Sequence, residues 1–292
     1  MNARTIFTAV ILLAMISGLL TTKSAQAGDH EVGVFLGTGK YFGDLEKNYL
    51  DDIFLDEVGA DPEIVFDEYE PAFGLLYRYY FNPRFNLKGG VNFGYISGDD
   101  ANYFEDGGAR QLSFRSHILE GSLQLEWNIL PFVPRSDSYR FAPYVFGGIS
   151  VFNFDPQAEG PDGDMHSLQP LGTEGQLIDG DDRYSLTQIS IPFGVGFKYN
   201  LSNYWNIGLE VGGRKTFTDY LDDVSGEYAA PDALRSAAND AGEDGDLAAI
   251  LGNPAGHTEG ASRGNDETED WYFFSGITIS YTIRSFECNG DW

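Results

Sequence analysis

The chain has 292 residues, a formal net charge of −27, 15% aromatic residues and 36 glycines. An acidic surplus of this size excludes a nucleic-acid partner, because phosphates would be repelled. After residue 20 no run approaches the roughly 20 continuous apolar residues that a membrane helix needs.

The first element is a signal peptide over 1–27. Arg4 precedes the apolar run "IFTAVILLAMISGLL" (6–20), and "SAQAG" (24–28) offers an Ala25-x-Ala27 site with cleavage between Ala27 and Gly28. A basic start, a short apolar core and an A-x-A end predict Sec export. The one cysteine, Cys288, permits no disulfide framework despite that export.

Residues 28–292 then read as one unit with eight alternating segments, near 31–39, 71–81, 84–97, 112–129, 139–153, 186–199, 204–217 and 271–283. Successive side chains of a strand leave opposite faces. In 204–217, Trp205, Ile207, Leu209 and Val211 share one face, and Gly208, Glu210, Gly212 and Arg214 the other. Glycines and charges together suit a confined interior better than an open surface. Segments one and five alternate less cleanly, because Phe35, Tyr144 and Phe146 fall on the small or polar face.

Connections decide what the apolar face meets. "NPR" (82–84), "LPFVPRSDS" (130–138) and "NLSN" (200–203) are short, while 40–70, 98–111, 154–185 and 218–270 are long. Strict alternation predicts an all-β fold: an eight-stranded antiparallel transmembrane barrel with short periplasmic turns and long extracellular loops. A soluble lipocalin-type barrel is the architectural alternative, with the apolar face turned inward. In the membrane reading Tyr79, Phe81, Phe85, Trp127, Phe132, Tyr199, Tyr204 and Trp205 form an aromatic girdle on the turn side. The lumen of so narrow a barrel is filled by side chains. It would hold Arg78, Lys88, Glu120, Glu126, Lys198, Glu210 and Arg214, a near-balanced network that plugs it; a proton or ion path is the alternative.

The long loops carry most of the acid. "NYLDDIFLDEV" (48–58) places Leu50, Ile53, Phe54 and Val58 at helical spacing, for a rim helix or a docking helix. Close carboxylates in 154–185 and 218–270 raise calcium, but the EF-hand spacing fails: from Asp240, position three is Gly242 and position twelve Leu251. Solvated acidic loops and no metal are therefore expected. The Ala/Gly/Asp-rich stretch 229–269 is expected to be mobile, with at most short helices in "DALRSAA" and "DLAAIL". His30, His117, His166 and His257 do not fall into any hydrolase or phosphate-loop motif, so the chain reads as a non-enzyme without catalytic residues or cofactors.

Several stretches resemble one known family: "EVGVFLGTGKYFGDL" (31–45), "PAFGLLYRYYFNPRFNLKGGVNFGYISGDD" (71–100), "LSFRSHILEGSLQLEWNILPF" (112–132), "RFAPYVFGGISVFNFDP" (140–156), "LQPLGTEGQ" (168–176), "YSLTQISIPFGVGFKYNLS" (184–202) and "WNIGLEVGGRKTFTDYLDDVSGEY" (205–228). They are similar to the PorG-like outer-membrane barrels associated with the Bacteroidetes type IX secretion system. The resemblance implies an integral, non-enzymatic outer-membrane component of the secretion and gliding apparatus. It would contact a periplasmic ring lipoprotein and its soluble companion, through Asn82–Arg84, Pro131–Ser138 and Phe286–Trp292. The alternative is a surface barrel for adhesion or ligand capture through the acidic loops. Outer-membrane lipid is the common partner of both, and oligomeric state stays open.

Overall fold

The computed structural model describes residues 29–45, 69–100, 110–178, 180, 182–266 and 268–283. The expected signal peptide (1–27), the 48–58 stretch, Cys288 and the 286–292 tail lie outside them. The strands are β1 (His30–Phe42), β2 (Glu70–Tyr80), β3 (Phe85–Asp99), β4 (Ser113–Asn128), β5 (Phe141–Glu159), β6 (Met165–Ser167), β7 (Thr187–Asn200), β8 (Trp205–Thr216) and β9 (Trp271–Ile283). All but the short β6 are staves of a closed antiparallel barrel. Neighbours run β4-β3-β2-β1-β9-β8-β7-β5, and pairing of β4 with β5 closes the ring. Closure leaves no unpaired edge, which a strand structure needs in order to span lipid.

The burial pattern of β2 is strict alternation: Phe73, Leu75 and Tyr77 are exposed, while Gly74, Leu76 and Arg78 are buried. The same alternation wraps the barrel. Val34, Leu36, Val91, Leu123, Ile149, Ile189, Val195 and Val211 form an outward apolar belt. An outer face this apolar, around an inner face carrying charge, is the arrangement of a transmembrane barrel and the reverse of a lipocalin. In 204–217, Leu209 and Val211 are exposed on the belt, and Glu210 and Arg214 are buried.

Glycines on the inner face make room for large neighbours. A Cβ on Gly194 or Gly212 would lie 2.6 Å from the Phe146 ring, and one on Gly196 would lie 2.5 Å from the Tyr144 ring. The aromatic residues that break the alternation of β5 therefore fill the lumen, each seated against glycine on β7 or β8.

Short turns join β2 to β3, β4 to β5 and β7 to β8. The described parts of the long connections gather at the opposite end, where they build a cap. β5 runs six residues beyond its expected end because Gln157–Glu159 pairs with Ser167–Met165. The 229–269 stretch contains two full helices, α1 (Pro231–Ala241) and α2 (Gly245–Gly252), where at most short ones are expected. Pro231 occupies the first turn of α1, Gly242 ends it at φ 87°, and the Asp244 side chain caps α2 by accepting from the Asp246 and Leu247 amides. Their buried Leu234, Ala238 and Ala248 give the pair an apolar face, and Leu171 and Leu177 of the preceding long loop cover it. Tertiary packing thus supplies what the composition of this stretch withholds.

Candidate functional site

Two buried polar networks occupy the axis of the molecule, one inside the barrel and one in the cap. All seven charged residues assigned to the lumen, Arg78, Lys88, Glu120, Glu126, Lys198, Glu210 and Arg214, are at least nine-tenths buried. Glu126 is the hub. Arg78 donates to it through Nε at 2.8 Å and Nη2 at 3.2 Å, Lys198 forms an ion pair with it, and Lys88 lies 3.7 Å away. Lys88 also pairs with Glu210, which accepts from the Tyr144 hydroxyl at 2.8 Å. Nearer the cap, Arg214 donates twice to Glu120, at 2.9 and 3.2 Å, with Asn92 and Tyr272 completing the carboxylate's shell.

One member was missed by the sequence reading. Glu31, fully buried, accepts from Arg78 at 2.6 Å and from Tyr80, Asn206 and Ser280. With Glu31 the network holds four acids and four bases. Its signal was present, since Glu31 shares the inward face of β1 with Gly33 and Phe35, but the weak alternation of that strand hid it.

At the short-turn end the girdle is largely outward. Phe81, Tyr199, Tyr204 and Trp205 are exposed, Tyr79 and Trp127 half-buried, and Tyr204 stacks on Tyr281 at 5.6 Å. Two residues depart from the expected girdle. Phe85 is only 6% exposed; it stands opposite Trp127 in the ladder, and its backbone closes the tight 81–85 turn. Phe132 is fully buried: the 129–140 turn folds it against Tyr80 and Ala142, across the mouth of the lumen. Lys198 lies 5.9 Å from the Phe132 ring and 4.4 Å from that of Tyr144. Between Lys88, Gln124, Glu210 and Arg214 a space of only about 20 Å³ remains, room for roughly one water. This lumen is a packed, neutralised plug.

The cap network has a different balance. The segments "GTEG" (172–175) and "DYLDDVS" (219–225), nearly fifty residues apart in sequence, interlock. Thr173 donates to the Asp223 carboxylate, and Glu174 accepts from the Ser225 amide at 2.8 Å and from Gly226. Gly172 and Gly175, at φ 64° and 91°, provide the left-handed turns that aim Thr173 and Glu174. Arg263 locks the join, donating to Glu174 at 2.8 Å, to the Gly252 carbonyl and to the Asp223 carbonyl. Arg110 ties in two more segments through the carbonyls of Arg263 and Asp44.

Below this join, the Tyr41 hydroxyl stands 2.6 Å from Asp222 and 3.0 Å from Asp270. One hydroxyl proton cannot serve two carboxylates, so the second contact needs a proton on an acid. Burial is the main force pushing Asp222 and Asp270 well above the usual carboxylate range, and nearby acids add to it. Burial also raises Asp223 to about 6, against the pull of Arg263, and Asp219 to about 7, helped by Asp44 and Glu174.

Among the described residues His166 is the histidine bonded to a carboxylate, that of Asp162 on an exposed hairpin; His117 stacks on Phe93 and His257 on Tyr228. Among those same residues no group of three or more acids or histidines is placed to hold a metal ion.

A family model described as a domain of unknown function, DUF6089, matches residues 10–241, most of the chain. The chain belongs to this family. Comparison with curated proteins gives no match. Among solved structures, Ail, the attachment invasion locus protein of Yersinia pestis, is similar at 10% identity and a TM-score of 0.40, with 88% of this chain and 100% of that one covered. OprG of Pseudomonas aeruginosa is similar at 13% identity and a TM-score of 0.38, covering 90% and 99%. Neisserial surface protein A is similar at 7% identity and a TM-score of 0.40, covering 87% and 97%. Likeness at this level concerns fold alone, and the barrel assignment stands on the strand pairing described above.

Proposed function

We propose that this protein is a non-enzymatic, non-conducting outer-membrane component that works through its two ends. The sealed lumen carries this reading. Eight paired charges and the inward Phe132 leave no path for a solute, so binding surfaces have to do the work. The resemblance of the 31–45, 71–100, 112–132, 140–156, 168–176, 184–202 and 205–228 stretches to PorG-like barrels supports a place in the type IX secretion and gliding apparatus of the Bacteroidetes. In that role the short-turn face, including Asn82–Arg84 and Pro131–Ser138, meets a periplasmic ring lipoprotein and its companion. Sec export of the 1–27 signal segment, with cleavage between Ala27 and Gly28, delivers the chain.

The decisive experiment is secretion of cargo bearing the C-terminal export signal in a strain lacking this gene, with and without plasmid complementation. Periplasmic retention of cargo, released on complementation, is expected. Normal secretion would overturn the apparatus role. A second reading, a surface module for adhesion or ligand capture, is favoured by the cap, which is folded and locked by Arg263 instead of loose. Normal secretion with lost surface attachment would select it. For the sealed lumen itself, purified protein in planar bilayers should give no steady single-channel current.

A further inference from the structure

The outward belt is not uniform. Over β4, β5 and β7 it carries an apolar groove of about 660 Å³, walled by Leu123, Ile149, Val151, Ile189, Ile191 and Phe217. The groove follows from the register. Gly121 sits between Val91 on β3 and Val151 on β5, on the same outer face, so one rung of the belt lacks a side chain in its middle. A Cβ placed on Gly121 would meet nothing within 4 Å.

Beneath the groove the barrel wall is weakened. β5 and β7 pair from Phe141 with Tyr199 to Gly147 with Phe193, and again from Ser150 with Ser190, with the register unchanged across the gap. Pro192 falls in that gap and has no N–H for the ladder. The inward neighbours there are small, and Gly90 and Ser122 line both the outer groove and the small lumen space, so one backbone layer separates them.

We infer that this groove is a binding site for one acyl chain of a bilayer phospholipid. It lies within the belt that already faces lipid, and its walls are branched aliphatic side chains with one aromatic. A chain seated between Val151 and Phe217 is contacted on its sides as well as its back. Such a chain exchanges with bulk lipid more slowly than those lying against Leu36 or Leu75 on the opposite wall. This inference does not depend on the secretion role.

The test uses the full mature barrel reconstituted with chain-labelled spin-labelled phospholipid, read by electron paramagnetic resonance and by native mass spectrometry after detergent extraction. Wild type should retain one phospholipid per barrel and show a motionally restricted component. Gly121→Leu adds a side chain into the groove where a Cβ meets nothing within 4 Å, and should lose both. Val34→Phe adds bulk to the belt on β1, away from the groove, and should keep both. Heat-modifiable gel migration verifies that each variant is closed. Overturning results are wild type that retains no lipid, retention unchanged by Gly121→Leu, or wild type that forms a dimer which Gly121→Leu dissolves, since the occupant is then a second copy.

Discussion

The lumen and the cap are both buried and polar, yet they solve the cost of burial in opposite ways. In the lumen each acid faces a cation, so charge is neutralised by charge. In the cap, Arg263 and Arg110 serve a larger set that includes Asp44, Asp100, Glu174, Asp222, Asp223 and Asp270, and protons must make up part of the difference. The first arrangement suits a wall that must hold in any medium. The second makes the order of the cap depend on pH.

The largest effect should come from breaking the lumen hub. Glu126→Ala leaves Arg78 and Lys198 without their shared carboxylate. Loss of one partner of a buried pair costs about 3–5 kcal/mol. Urea unfolding of the detergent-solubilised barrel should show that loss, and an unchanged midpoint would mean the lumen is not the neutralised plug described.

Arg263→Ala should act on the cap alone. It strips Glu174 and the Asp223 carbonyl of a buried donor, and the cost, about 3 kcal/mol locally, should appear as rapid proteolysis within 160–266. Heat-modifiable migration of the barrel should be unaffected. Co-operative collapse of both would show that the two networks are one unit.

Asp223 and Asp219 titrate higher in the folded cap than in the open chain, so the folded form holds the extra protons. Their contribution to stability is therefore full below about pH 4 and lost as pH rises through about 6 and then about 7. Hydrogen exchange of residues 219–266 should be slower at pH 5 than at pH 8, after correction for intrinsic rates. The reverse order would refute the proton-sharing account.

The smallest effect on the barrel is expected from replacing α1 and α2 (231–252) with a short Gly/Ser linker. Closure is made by strands, so heat-modifiable migration should persist while Leu171 and Leu177 become exposed to protease. Failure to close would give the cap a role in folding.

The barrel could be read from the chain because strand parity is local. Arg78, Lys198, Glu210 and Arg214 were placed inside by counting every second residue, and the glycines beside them by the same rule. Short turns and long loops set the topology by length alone. Which acid meets which base was not local: Glu31, Arg78 and Glu126 come from three strands, and Lys88 with Glu210 and Arg214 with Glu120 meet only across the closed lumen. Phe132 shows the limit of parity, because a turn has none, and its inward fold depends on space left by Tyr80 and Ala142. The cap shows it more fully. "GTEG", "DYLDDVS" and Arg263 hold no periodicity that relates them, and low hydrophobicity made 229–269 look unstructured. Sequence fixes the alternation of a strand through backbone geometry. Contacts between distant loops depend on burial shared among segments, and only the closed barrel brings those segments together.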